Sequence, residues 1–343
     1  MRNMKKRTTL FSIILLIILA VAAVYFSQNQ SYSTFKGDDQ EFAVKDTQNI
    51  TKIFLADKNE NRITLDRENA GNWVVNKNYE ARQSGVTMLL ETLKELKVYA
   101  PVSKSRYETV LKKIAQSGIK VEIYKGSNQP TKTLYVGSSN MDHTGNYMLI
   151  DGAQKPYVVH IEGFHGYLTP RFITREADWR TKNIWNYSFG EIAEIEISHP
   201  GEPEKNFAVK KTGPGVYKLF DGKGSPVDRY DTASVLSYVA LFKDINFESF
   251  EVTKTKAQHD SIAAQTPMTI YKVTDSNGKV RKVETHKKIM KDKFDPETGD
   301  PIEVDRDRMY GVIDEDLVVI VQYYVFDPLT AELGEFKSQN LTP

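Results

Sequence analysis

The sequence predicts an α+β protein: an N-terminal transmembrane helix followed by two tandem copies of a mixed antiparallel-sheet-plus-helices unit. Three observations carry that prediction. Residues 10–26, LFSIILLIILAVAAVYF, form one apolar run, and the 343-residue chain has no other of that length. Behind it come a strand, a hairpin, helical stretches and further strands, each legible from its apolar period. After a short connector, much the same order of patterns returns.

A bilayer core needs about 20 apolar residues, with a lower bound near 17. Residues 10–26 reach that bound, helped by Thr8, Thr9 and Ser27. Arg2, Lys5, Lys6 and Arg7 precede the run with no acidic residue among them, whereas Asp38, Asp39 and Glu41 follow it. The positive-inside rule therefore makes residues 1–9 a cytoplasmic tail and sends everything after residue 26 outside. Ala20-Val21-Ala22 also resembles a signal-cleavage site. Cutting there would leave the apolar Ala23-Val24-Tyr25-Phe26 on the mature end, so an uncleaved anchor touching membrane lipid through residues 10–26 is the expected form. Both forms export the chain.

Cysteine is absent, which excludes a lipid-modified cysteine, disulfides, thiol nucleophiles and cysteine metal sites. Hydrophobic residues at 40% and aromatics at 11% suit a globular ectodomain and are too many for a disordered one. Net charge is +1; without the four basic tail residues, 42 basic stand against 45 acidic, a balance of −3. An ectodomain so near neutrality gives no electrostatic case for nucleic acid.

Residues 27–45 are polar and read as a spacer. The first copy covers residues 46–170. A strand at 50–55 leads to strands at 62–66 and 72–76, which form a hairpin about Asn69-Ala70-Gly71 and carry Trp73. Residues 84–98 read as a helix capped by Ser84, with Val86, Leu89, Leu90, Leu93, Leu96 and Val98 at helical spacing. A second helix at 106–116 carries Val110, Leu111 and Ile114. Strands follow at 120–125, 132–136, 146–150 and 157–161, and residues 163–167 read as a short helix or turn. Residues 171–188 form a connector. It holds two of the three tryptophans, Trp179 and Trp185, among charged neighbours, and both are candidates for an interaction surface, since tryptophan is enriched at binding hot spots.

The second copy covers residues 189–343. It has a strand at 192–198, a hairpin of 206–211 with 215–219, a helix at 231–242, and strands at 268–273, 279–284, 310–313 and 317–321. Residues 286–308, dense in charge, read as an exposed insertion. Four local matches link the copies, at offsets between 142 and 163. Ile50-Thr-Lys-Ile-Phe-Leu matches Ile192-Ala-Glu-Ile-Glu-Ile, and Gly71-Asn-Trp73 matches Gly215-Val-Tyr217. Tyr147-Met-Leu-Ile-Asp151 matches Tyr310-Gly-Val-Ile-Asp314, and Val158-Val159 matches Val318-Val319.

Motifs for chemistry are lacking. His160 and His165 stand five apart, whereas a zinc-binding helix sets its histidines four apart. Asp295, Glu297, Asp300, Asp305 and Asp307 offer hard oxygen ligands, but not at calcium-loop spacing. Gly222-Lys-Gly-Ser225 lacks the earlier glycine of a phosphate loop. No catalytic residue, metal ligand or cofactor is expected.

Leu134-Tyr-Val-Gly137, Tyr147-Met-Leu-Ile150, Tyr157-Val-Val-His160 and Asp178-Trp-Arg-Thr-Lys182, behind a basic start and single anchor, resemble the bacterial "domain of unknown function 4340" family over about residues 45–329. Members of that family are often encoded beside an ABC transport system akin to that of gliding motility, and the resemblance implies the same setting here. That system's permease or auxiliary membrane protein would be the partner, and no catalytic residue carries over. The expected function is a non-enzymatic, membrane-anchored extracytoplasmic accessory protein of an ABC-type transport or envelope complex. The alternatives are an extracytoplasmic module binding glycan, peptide or lipid in a cleft lined by Trp179 or Trp185, and an envelope hydrolase.

Overall fold

A computed structural model describes residues 39–68, 71–290, 294 and 297–336. The expected tail and anchor, residues 1–9 and 10–26, lie outside these. Among the described residues no helix is long and apolar enough to cross a membrane. The chain divides into two compact units, one ending at Trp179 and the other beginning at Arg180.

The first unit's strands are β1 (Lys52–Ala56), β2 (Arg62–Arg67), β3 (Trp73–Val75), β4 (Tyr79–Glu80), β5 (Leu96–Pro101), β6 (Ile119–Tyr124), β7 (Lys132–Ser139), β8 (Asn146–Ile150) and β9 (Tyr157–Ile161). Among the described residues they form one antiparallel sheet, ordered β4-β3-β2-β1-β6-β7-β8-β9-β5. Alternation puts Ile53, Leu55, Val121, Ile123, Leu134, Val136 and Met148 on one face. Helix α1 (Gln83–Glu95) covers that face with Val86, Leu89 and Leu93. Helix α2 (Tyr107–Ser117) packs Val110 and Ile114 on the opposite face, against Tyr135, Tyr147, Leu149 and Val158. Burying each such side chain stabilises the fold by about 1.5–3 kcal/mol.

Three expectations change here. Helix α1 ends at Glu95, and Leu96 and Val98 belong to β5, whose pairing with β9 sets Leu96 opposite Ile161 and Val98 opposite Val159. The residue before α1 is Arg82, not Ser84, and its side chain makes no cap. The supposed spacer 27–45 reaches into the fold, because Phe42 and Val44 are buried in the first core. The Lys132 ammonium donates to the carbonyls of Glu41 and Ala43 at 2.6 and 2.7 Å.

The second unit's strands are β10 (Asn183–Trp185), β11 (Ile192–Ser198), β12 (Phe207–Gly213), β13 (Val216–Asp221), β14 (Ile245–Asn246), β15 (Ser249–Phe250), β16 (Thr269–Asp275), β17 (Val280–Ile289), β18 (Val304–Ile313) and β19 (Leu317–Gln322). Among the described residues β10 pairs only with β14, and the rest form an antiparallel sheet ordered β13-β12-β11-β16-β17-β18-β19-β15. Helix α3 (Thr232–Ala240) covers one face with Val235, Tyr238 and Val239. Helix α4 (Lys256–Ala263) packs Ile262 on the other, against Tyr310, Val312, Val318 and Ile320. The expected insertion 286–308 shrinks to residues 290–303, because β17 runs on to Ile289 and β18 begins at Val304.

Apart from the two-residue β4, the two sheets have the same strand order. The registers agree in detail. Ile53 lies between Leu65 and Ile123, and Ile195 between Val209 and Val273. Trp73 faces Arg67, and Tyr217 faces Lys211. Met148 lies between Val136 and Tyr157, and Gly311 between Thr285 and Val319. Three of the four sequence matches thus occupy equivalent ladder positions. The fourth is displaced by two residues: Val158 faces Tyr147, and Ile320, not Val318, faces Tyr310.

The sheet edges are obstructed. β4 and β15 have two residues each. β5 carries Lys97, a bulge between Val98 and Ala100, and Pro101. β13 is flanked by residues 225–227, through Asp221 N–H to Ser225 O, Val227 N–H to Leu219 O and a bridge from Phe220 to Pro226. Lysine, proline, bulges and short length all discourage an incoming strand.

Candidate functional site

The two tryptophans do not form a surface. Each is 1% exposed, Trp179 in the first core and Trp185 in the second. Trp179 donates its indole N–H to the Ile173 carbonyl at 2.8 Å, and its own carbonyl accepts the Arg82 N–H. Trp185 packs on Phe242, Tyr271 and Phe326, with ring centroids 5.2, 6.2 and 6.3 Å away. Their charged neighbours are engaged locally: Arg175 bonds Asp178, the Lys182 ammonium donates to the Glu248 carbonyl, and the Arg180 guanidinium stands over the Phe250 ring. A cleft lined by these tryptophans is excluded by the same burial.

Of the other sequence candidates, Asp295 lies outside the described residues. His160 packs edge-on against Tyr99, with ring centroids 5.1 Å apart. Asp305 bonds Lys288 at 2.6 Å. Burial alone would raise the Asp305 carboxyl, but hydrogen bonds from Lys288 and from the Asp307 and Arg308 N–H groups outweigh it and hold it below its ordinary range. Among the described residues no group of three or more His, Cys, Asp or Glu could hold a metal ion. Residues 221–225 form a turn closed by the Asp221 carboxylate, which accepts the Lys223 and Ser225 N–H groups.

What stands out is one end of each sheet. Of the four most exposed large apolar side chains among the described residues, three lie there: Tyr324 (86%), Met141 (75%) and Phe294 (64%). In the first unit this loop end joins the β7–β8 loop to the chain leaving β9, because Ser139 faces Asn146 and β9 finishes beside them. Met141 and the half-exposed Tyr167 project from it. The His143 and Tyr167 rings stand 6.3 Å apart, and the Arg106 guanidinium lies 3.6 Å from the Met141 sulfur.

The display is held rigidly from beneath. Asn146, fully buried, donates to Gly137 O at 2.8 Å and to Thr169 Oγ1 at 2.6 Å, and accepts the Leu168 N–H at 2.5 Å. Asn140 accepts the Thr144 and Gly145 N–H groups at 2.9 and 3.2 Å and donates to Thr144 Oγ1. Such caps and turns are what Asn does where the backbone needs partners. His143 sits in the left-handed region at φ 52°. Gly137 is demanded by close approach: a Cβ there would lie 2.9 Å from Ile114 Cγ1 and from Tyr147 O.

In the second unit the equivalent loop end joins the β17–β18 connection to the turn after β19. Ile289, Phe294 and Tyr324 are exposed on it. It too is braced: Lys288 pairs with Asp305, and Arg308 Nε donates to both Glu248 carboxylate oxygens at 2.7 and 3.0 Å. At the second end these ion pairs leave Phe294 and Tyr324 exposed, whereas at the first the exposed Arg106 guanidinium stands beside Met141. Residues 294 and 324 gave no signal by periodicity, because exposure on a loop leaves no period to read.

Taken together, the fold defines a sheet-rich α+β protein of two compact antiparallel units. The family model described as "Domain of unknown function (DUF4340)" matches residues 73–267, from β3 past the end of α4, and the chain belongs to that family. No curated protein and no solved structure matches the chain.

Proposed function

We propose that this chain is a membrane-anchored extracytoplasmic accessory protein of an ABC-type transport or envelope complex, built from two copies of one unit and acting by protein contact rather than catalysis. The carrying observation is the braced loop end, where Met141 and Tyr167 are held exposed by the buried amide of Asn146. Tyrosine, methionine and arginine are the residue types enriched at contact surfaces, and rigid presentation lowers the ordering cost of binding. The shared strand order supports the duplication. The apolar run at residues 10–26, behind four basic residues, supports the anchor and the cytoplasmic-membrane location. The family resemblance favours an ABC permease or its auxiliary protein as partner.

The test is co-purification of the full chain from detergent-solubilised membranes, with and without Met141→Asp plus Tyr167→Asp. Recovery of a transporter component by the parent chain, and its loss with the double substitution, is the expected result. Failure to recover one after cross-linking in intact membranes would remove this reading. A ligand-binding module is the second reading. It is favoured by a cleft of about 440 Å³ lined by Phe42, Leu96 and Val98 with Lys45, Lys94 and Lys97. A thermal-shift screen of the full chain against glycans, peptides and lipids separates the two.

A further inference from the structure

Resting on that reading, we infer that the partner meets the first unit through an acidic stretch of chain, laid along the outer side of α2 with an apolar side chain against Met141. The carrying observation is positive charge that nothing in the unit answers. Residues 102–118, the turn before α2 and the helix itself, hold Lys104, Arg106, Lys112 and Lys113 against one acidic residue, Glu108. All five are exposed, and among the described residues none forms an ion pair. Even with Glu108 set against Lys112, one helical turn along, three of the four cations remain. Asp142, next to Met141, makes no bond to the Arg106 guanidinium, whose one polar contact among the described residues is the Met141 sulfur, 3.6 Å from Nη1. A thioether is a soft neighbour that leaves that charge unanswered.

The chemistry of the occupant follows. The planar guanidinium of Arg106 matches a carboxylate with two parallel N–H donors. Seven residues, close to two helical turns, separate Arg106 from Lys113, so both stand along one line of the helix, about 10 Å apart. A row of carboxylates on a partner segment answers that line, and Met141, 75% exposed, takes an apolar side chain beside it. The second unit supplies the contrast. On its helix α4, Lys256 bonds Asp260 at 3.1 Å and has Asp316 at 3.9 Å, while the Lys254 ammonium stands over the Tyr310 ring. Charge there is met within the unit, so the acidic stretch belongs to α2. An anionic membrane surface also draws lysine and arginine. A helix lying in lipid, however, needs its apolar side free. In α2 that side is spent on the sheet, with Val110 and Ile114 against Tyr135, Tyr147, Leu149 and Val158. A protein requires only matching charge and fit, and the charge also steers the encounter.

The experiment uses the full chain in membranes. A photo-crosslinking phenylalanine analogue replaces the exposed Thr109 or Gln116 of α2, and mass spectrometry identifies the adducts. Co-purification is measured alongside for Arg106→Glu, for Lys112→Glu plus Lys113→Glu, and for Glu108→Gln. These side chains are exposed, so the fold survives their replacement. The inference expects adducts within an Asp- and Glu-rich stretch of the partner. It expects each charge reversal to lower retention at least about tenfold, the scale of a binding hot spot. Glu108→Gln should instead raise retention, a direction that mere damage to the helix would not produce. Adducts to lipid, or to a neutral or basic stretch of the partner, overturn it. If the parent chain retains a transporter component and the charge reversals retain it equally, the acidic occupant is wrong and the accessory function stands. If the parent chain retains nothing, the accessory function falls and this inference with it.

Discussion

His286 of β17 stands directly across from Tyr310 of β18, 1% exposed, and neither of its ring nitrogens has a hydrogen-bond partner among the described residues. Its ladder position is the one Gly137 holds in the first unit, opposite Tyr147. Where α2 crowds against a glycine, the second unit inserts an imidazole beneath the shorter α4. Glu284 and Lys288 lie two residues to either side on the same face, Lys288 bound to Asp305, and the Lys254 ammonium stands over the Tyr310 ring.

Burial pushes the His286 imidazole below its ordinary value, and the nearby Glu284 carboxylate only partly offsets this. The unfolded chain therefore takes up the proton more readily than the folded one. This contribution to stability is fully present above about pH 6.5, the unfolded value, and is lost as pH falls from there through the lower folded value. His286→Leu removes two unpartnered polar atoms and should stabilise the second unit by about 1–2 kcal/mol while flattening the decline between pH 7 and 5. Urea titrations across that range check it; an unchanged pH slope in the variant would assign the acid sensitivity elsewhere.

Asn146→Ala strands the buried Leu168 N–H and leaves the Gly137 carbonyl only the longer bond from Thr169 Oγ1 at 3.4 Å. An orphaned buried group costs about 1–3 kcal/mol, so a loss of about 1–3 kcal/mol is expected. Hydrogen exchange at Leu168 should accelerate well beyond the global change, because that amide loses its acceptor. Uniform acceleration throughout the first unit would show that Asn146 does not pin this loop in particular.

Lys132→Met keeps the stem and removes the ammonium that grips Glu41 and Ala43. Burial already depresses the Lys132 ammonium below its ordinary value, so its two carbonyl bonds are made against a desolvation cost. A net loss of about 1–3 kcal/mol is expected, with new protease cleavage near residues 41–44 and none in β7. Retained protection of that segment would mean that Phe42 and Val44 hold it unaided.

Thr255→Ala breaks a reciprocal cap: Thr255 Oγ1 accepts the Gln258 N–H, and the Gln258 side chain accepts the Thr255 N–H. About 0.5–2 kcal/mol should be lost, confined to α4. Circular dichroism will barely register so short a helix, so amide exchange at residues 257–259 is the sensitive measurement.

How far the sequence could be read depended on which forces were local. β8, β9 and β11 coincide with the strands expected at 146–150, 157–161 and 192–198, because alternation and flanking turns defined both ends. Leu96 and Val98 read as helix because apolar spacing from Leu93 fits either period; a pairing with β9, more than sixty residues away, made them strand. Helix α4 went unnoticed since Ile262 is its one buried residue, although Thr255-Lys-Ala-Gln258 spells its cap. Trp179 and Trp185 misled because charge along the chain says nothing about which way a ring turns. At the loop ends, Asn146 gave no sign in the sequence that its amide closes three elements at once.

The obstructed strand edges bear on how this protein tolerates crowding. Molecules confined to one surface meet one another at high local concentration, and an open β edge would then seed fibres of like with like. Here β5 and β13 refuse a tenth strand in the first sheet and a ninth in the second, so copies can sit close together without zipping into one sheet.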